Sequence, residues 1–295
     1  MSWAAHELES YVLRKHIRVR ISYLAILAGC LAPDMITKTW TYGFTLGGTH
    51  YGASNPAQFH RGWPGVGFTH SLMFGVIIAG AVLMVTKNRA WSLGLLVGIW
   101  AHVLTDTFDS IGTMLLFPFS TQHFSTGMWA YAAQQGKYGD AAAYYSSLGG
   151  VWDVFWLLMV LISWRVLTKD YFRKEVIPED PAWGWIRRKF RMPNKALLAF
   201  YRAYFFYAVC RIAAWTIWAH AIDHSPWDLS WGGPYYVKRA FIPPGGWGTS
   251  PLGLAFAGAA FALTLVFLWT FLFKRYWDRA TDRLPAVTEA EPQPT

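Results

Sequence analysis

The sequence predicts an all-α, polytopic helical membrane protein of about six transmembrane spans, and three observations carry that reading. Of 295 residues, 54% are hydrophobic and 18% aromatic while only 15% are charged, which is too apolar for an ordinary soluble domain. The apolar residues gather into six stretches, at about 21–35, 71–86, 91–105, 151–168, 197–222 and 252–273. Several fall short of the ~20 residues that fill a hydrocarbon core, so their polar ends sit at the interface. The 26 Lys and Arg are also unevenly placed: with six spans assigned in order, 19 fall on one side and 5 on the other, leaving Arg202 and Arg211 inside a span. The positive-inside rule makes the first side cytoplasmic, with both termini there and the histidine-rich span ends facing out. The net charge of +9 is therefore spent on topology, and no nucleic-acid partner is expected.

Taken in order, residues 1–168 form a four-span membrane unit. Its first span is expected to end at Ala32-Pro33-Asp34, because proline disfavours helix before it. Within that span, Leu27-Ala28-Gly29-Cys30 has the look of a lipoprotein cleavage box. Glu7 and Glu9 are unusual ahead of such a box and the apolar run is short, so the match reads as coincidence. Cys30 and Cys210 both lie in apolar spans and read as small core residues, with no disulfide and no thiolate site. The second span opens at Thr69-His70-Ser71, and the third closes on His102-Val103-Leu104-Thr105-Asp106. Outer loops near 37–68, 108–150 and 223–250 are rich in Gly, Pro, Trp and Tyr, which suits chain lying on the membrane surface. Residues 169–196 form a basic cytoplasmic connection broken by Pro178, Pro181 and Pro193. Two further spans occupy 197–283, and 284–295 is an acidic, disordered tail.

The chemistry lies at the span ends. His102, Asp106 and Asp109 are four and seven residues apart, so on one helix they share a face. An imidazole and a carboxylate so spaced can bind one divalent ion, or the carboxylate can orient the imidazole. Alone, the pair fits a simple His to Asp hydrogen bond inside a bundle equally well. Asp34 and His70, brought to the same depth by two other span ends, tip the balance toward a metal, since unpaired carboxylates are costly there. Asp106 or the spare Asp109 is then available as general base, and Arg61 as a partner for a substrate phosphate or as a headgroup anchor. A second constellation, His220, Asp223 and His224, can chelate an ion or form a hydrated polar helix end. Arg211 can snorkel, pair with a carboxylate or meet an anionic headgroup.

This set resembles the YdjM-type membrane-bound metal-dependent hydrolases, an uncharacterised bacterial inner-membrane family. The matching motifs are His6, Pro33-Asp34, His60-Arg61-Gly62, Thr69-His70-Ser71, His102 with Asp106, Gly112, and Leu115-Leu116-Phe117-Pro118, covering about the first 120 residues. The resemblance implies a helical membrane protein with a bound divalent metal, zinc first, and a hydrolytic activity whose site layout is distantly similar to zinc-dependent phospholipase C. It also implies His60 and His6 as further ligands. Three departures stand out. Ile36 occupies the position of the family's second acid, and Trp63 to Phe68 separate motifs that normally lie closer. One continuous helix from His6 to Asp34 would hold those residues about 40 Å apart. Only a turn near Arg14 to Arg20 would join them, and no Gly or Pro marks one.

The expected function is hydrolysis of a phosphoester or acyl bond in a lipid or lipid-linked substrate, with membrane lipids as partners. The alternatives are a non-catalytic metal-containing scaffold or transporter, and a bis-His haem protein using His70 and His102.

Overall fold

The computed structural model describes residues 2–17, 19–52, 67–129, 139–178 and 180–231. The expected sixth span at 252–273, the tail, and the candidates His60 and Arg61 lie outside the described residues.

The chain is mostly helical. Helix α1 (Trp3–His16) starts on Ser2, whose side chain accepts from the Ala5 N–H, and ends with Arg14, Lys15 and His16 on its negative dipole end. Helix α2 (Tyr23–Tyr42) follows and runs in the opposite direction. A short hairpin comes next, β1 (Phe44–Leu46) against β2 (Thr49–Tyr51), with Phe44 opposite Tyr51. Its two-residue turn is Gly47-Gly48, both at positive φ, as such turns require. Ser71 caps α3 (Leu72–Thr86) and Asn88 caps α4 (Arg89–Thr105). Then come α5 (Gly139–Tyr145) and α6 (Leu148–Ile162). A tight turn at Trp164–Leu167 and wider helical turns through Val176 lead to α7 (Pro181–Lys189). The last described helix is α8 (Asn194–Ile217), which runs on through Trp218–Ile222. Pro181, expected as a breaker, instead occupies the first turn of α7, where its missing N–H costs nothing.

Six of these helices alternate in direction. One end of the bundle gathers Lys87, Arg89, Arg165 and Lys195; the other gathers Asp34, His70 and His102. Helix α1 obeys the same alternation: Ser2 bonds Asp153 near the start of α6, whereas Arg14 donates to the Glu175 carbonyl and His16 meets Ser163. Ser2 thus lies at the histidine-bearing end of the bundle, opposite the basic residues. Along α1, His6, Glu7, Glu9, Ser10 and Arg14 are all buried in protein.

A second correction concerns Pro33, which lies inside α2 rather than at its end. Between α2 and α4 the backbones approach closely. A Cβ on Gly29 would lie 2.6 Å from the Leu95 carbonyl oxygen, and one on Gly94 would lie 2.9 Å from the Ser22 carbonyl oxygen. Small residues at such a crossing let transmembrane helices touch. By length and composition one helix among the described residues, Asn194–Ile222, suffices to cross a membrane, with shorter apolar helices at Leu72–Thr86 and Leu148–Ile162.

At the basic end, Asp180 ties the connection to the bundle. Its carboxylate accepts from the Ser22 hydroxyl at 2.6 Å, the Leu24 N–H at 3.2 Å, the Trp91 indole at 3.2 Å and the Ala182 N–H at 3.2 Å. Burial pushes this carboxyl above its ordinary pKa, against the pull of those donors.

Candidate metal centre

Two helices and one tight turn bring four side chains together. Asp34 comes from α2, His70 from the turn Gly67–His70, and His102 and Asp106 from the C-terminal end of α4. One ligand atom from each lies within 4.8 Å of all the others, and all four residues are buried. His102 Nε2 is 3.2 Å from His70 Nε2 and 3.2 Å from Asp106 Oδ2. His70 Nε2 is 3.5 Å from Asp34 Oδ1 and 3.6 Å from Asp106 Oδ2, and His102 Nε2 is 3.9 Å from Asp34 Oδ1. Four N and O ligands at about 2.0–2.2 Å from a tetrahedral ion are separated by about 3.3–3.6 Å. The observed separations bracket that range.

Proton bookkeeping points the same way. His102 Nδ1 lies 2.6 Å from the Cys30 carbonyl oxygen, and a carbonyl only accepts, so Nδ1 carries the proton and Nε2 presents a lone pair in the neutral ring. That lone pair faces a carboxylate oxygen at 3.2 Å, which is repulsive unless a cation lies between them. On Asp34, Oδ2 accepts from the Trp3 indole at 2.7 Å and from Lys38. Its Oδ1 is buried, faces the centre and has no hydrogen-bond partner. An orphaned buried carboxylate oxygen is costly, and an ion would satisfy it. The donor set fits a borderline divalent ion such as zinc.

His6 arrives beside this set because the chain reverses direction between α1 and α2, although no Gly or Pro marks the place. Its ring stacks on His102, with centroids 3.8 Å apart. Its Nδ1 is 3.4 Å from Glu9 Oε2 and its Nε2 is 3.7 Å from Asp106 Oδ1. His6 thus stands against the second oxygen of Asp106, outside the group of four. Glu9 entered the sequence reading only as an acid ahead of the Leu27-Ala28-Gly29-Cys30 box and not as a partner of His6, where its spacing three residues on was the available signal. The carbonyl that orients His102 leaves no sequence signal at all.

Asp109 is not in the cluster. Helix α4 stops at Thr105, and a tight turn at Asp106–Phe108 leads into extended backbone at Asp109, so the seven-residue spacing does not carry it to the shared face. Its Oδ1 accepts from the N–H groups of Ile111 at 3.0 Å and Gly112 at 2.8 Å. Gly112 sits at φ +68°, with the Phe124 carbonyl packed where a Cβ would be, so the glycine shapes this loop. The second constellation is not gathered into a metal-ligand group among the described residues. His220 Nδ1 donates to the Ser225 carbonyl at 3.0 Å and its ring stacks on Trp227. Asp223 accepts from the Ser225 hydroxyl at 2.6 Å. For Arg211 the structure selects one of three roles, an ion pair with buried Glu7 on α1. Cys30 and Cys210 are both free.

Residues 4–172 match the family described as YdjM inner membrane protein. No curated protein and no solved structure matches the chain.

Proposed function

Since the chain belongs to the YdjM inner membrane protein family, we propose that it is a membrane-bound metal-dependent hydrolase, with Asp34, His70, His102 and Asp106 holding one divalent ion, zinc first. The observation that carries the metal is the buried convergence of two imidazole nitrogens and two carboxylate oxygens, with Asp34 Oδ1 left without a hydrogen bond among the described residues. When bound, such an ion would supply Lewis acidity, and a water taken up as an additional ligand would be acidified toward a pKa of about 7. Asp106 holds the ion through Oδ2 and leaves Oδ1 toward His6. His6, with Glu9 behind its Nδ1, is placed to take a proton at Nε2. A closed structural site needs four ligands, so an additional oriented imidazole favours chemistry over scaffolding. The substrate class is a phosphoester or acyl bond in a lipid or lipid-linked molecule, with Arg61 as the candidate partner for its phosphate.

The topology that goes with this reading has six apolar spans, including 252–273, and α1 as a further polar traverse. The basic end is cytoplasmic and the metal end faces outward.

One observation favours a second reading, a structural ion in a membrane scaffold: His70, His102 and Asp106 are 0% exposed and Asp34 is 1% exposed. The purified protein in detergent separates the two, by elemental analysis and by turnover of phospholipid and acyl-ester substrates. We expect about one zinc per chain, lost on His102→Ala, and turnover that His6→Ala abolishes while metal content stays. Metal without turnover on any substrate of either class would leave the scaffold reading standing.

A further inference from the structure

The basic end of the bundle carries a cavity of about 370 Å³ bordered by the end of α1, the turn after α6 and the short helical segment that follows it. Lys15, Arg165 and Lys174 line it. Among the described residues, none of these three lies within ion-pair distance of a carboxylate. Of the two acids at the rim, Glu175 is already answered by Arg14, whose guanidinium is 3.9 Å from its carboxylate, so Asp170 alone opposes three cations. The Lys15 ammonium is held 4.9 Å from the centre of the Tyr171 ring, a cation–π contact that keeps it over the cavity. Three cations against one unanswered acid on a single concavity make an anion site in charge and shape.

The surroundings say which anion. The outer face of α6 exposes Leu158, Leu161 and Ile162, the last at 75%, and that apolar strip leads to Trp164, 59% exposed at the cavity mouth. Exposed aliphatic side chains, then a tryptophan, then a cluster of Lys and Arg reproduce in order the acyl, interfacial and phosphate levels of a lipid leaflet. We propose that this cavity binds the phosphodiester headgroup of an anionic phospholipid whose acyl chains lie along α6. The site is at the opposite end of the bundle from the histidine cluster and does not depend on the reading of that cluster.

The test uses the full chain in detergent, titrated with short-chain phosphatidylglycerol, phosphatidylcholine or inorganic phosphate and followed by native mass spectrometry. We expect phosphatidylglycerol to bind at least about tenfold more tightly than phosphatidylcholine. The triple variant Lys15→Gln, Arg165→Gln, Lys174→Gln should lose that preference. Each Lys or Arg near an anionic lipid surface is worth roughly a fivefold change in affinity, so three are ample. The control variant Arg187→Gln, Lys189→Gln, Lys195→Gln removes three exposed cations from the same end and should change binding less than about threefold. Equal losses from both variants would show general surface attraction and overturn the site. Binding of inorganic phosphate as tight as that of phosphatidylglycerol would overturn the lipid assignment.

Discussion

His102 is fixed from both sides, by a backbone carbonyl at Nδ1 and by the carboxylate and imidazole facing its Nε2. Its four-residue spacing from Asp106 survives because Asp106 caps α4, the last position at which helical geometry still holds. One turn later Asp109 is lost to the loop. The sequence therefore exposed the candidate ligands that sit on or beside helices and failed where a helix boundary intervened, since boundaries depend on capping chemistry that spacing does not encode. Glu9 illustrates the other omission, a carboxylate that acts through an imidazole. Partners of this kind typically tune metal affinity 10–100-fold. Glu9→Gln keeps the shape of the side chain while removing its charge, and is expected to lower the chelator concentration needed to strip zinc by about tenfold if His6 joins the metal. If His6 serves only as a base, turnover should fall at unchanged metal retention. Zinc retention and activity both at wild-type levels would remove Glu9 from the centre.

The site's geometry rests on the contact of α2 with α4, which carry Asp34 on one side and His102 with Asp106 on the other. A Cβ on Gly98 would run into the Ile26 carbonyl oxygen and the Cys30 N–H, both backbone atoms that cannot step aside. Gly98→Ala is expected to cost about 1–3 kcal/mol, seen as a lower melting temperature in detergent, and to weaken metal binding by parting the two helices. Gly80 on α3 has open space where a Cβ would go, so Gly80→Ala should be neutral or stabilising by up to about 1 kcal/mol. Asp180 gives the pH prediction. Its folded pKa is raised by burial, so the folded state binds the proton more tightly than the unfolded state. This group's contribution to stability therefore falls as pH rises from the ordinary carboxylate range through the raised value, and is level above it. Melting temperatures across that acid window should show this slope in the wild type and lack it in Asp180→Asn. Replacement by Ala, which strands four donors, should cost about 2–4 kcal/mol at neutral pH.

At the scale of the whole molecule, hydropathy located α3 and α4 to within two residues and found α2, α6 and α8 with less exact ends, α2 running seven residues past the expected stretch. It passed over α1, whose polar groups are hidden by pairing: His6 with Glu9, Glu7 with Arg211, Arg14 with Glu175. Averaged hydropathy registers composition and is blind to such pairing, so it gave α1 no place among the spans. With α1 counted, the described chain makes six alternating passes between Ser2 and Ile222, and Ser2 lies at the metal end. An epitope tag placed ahead of Ser2 should be reached by antibody from outside intact spheroplasts. Phe190, 58% exposed beside the basic end, replaced by Cys in a Cys210→Ser background, should react with an impermeant maleimide only after permeabilisation. The two probes mark opposite ends of α1 and α8, which run antiparallel through the Tyr11 to Tyr201 and Glu7 to Arg211 contacts. Labelling of both from one side would mean that α1 does not cross the membrane with α8, and His6 would then have no path to the centre.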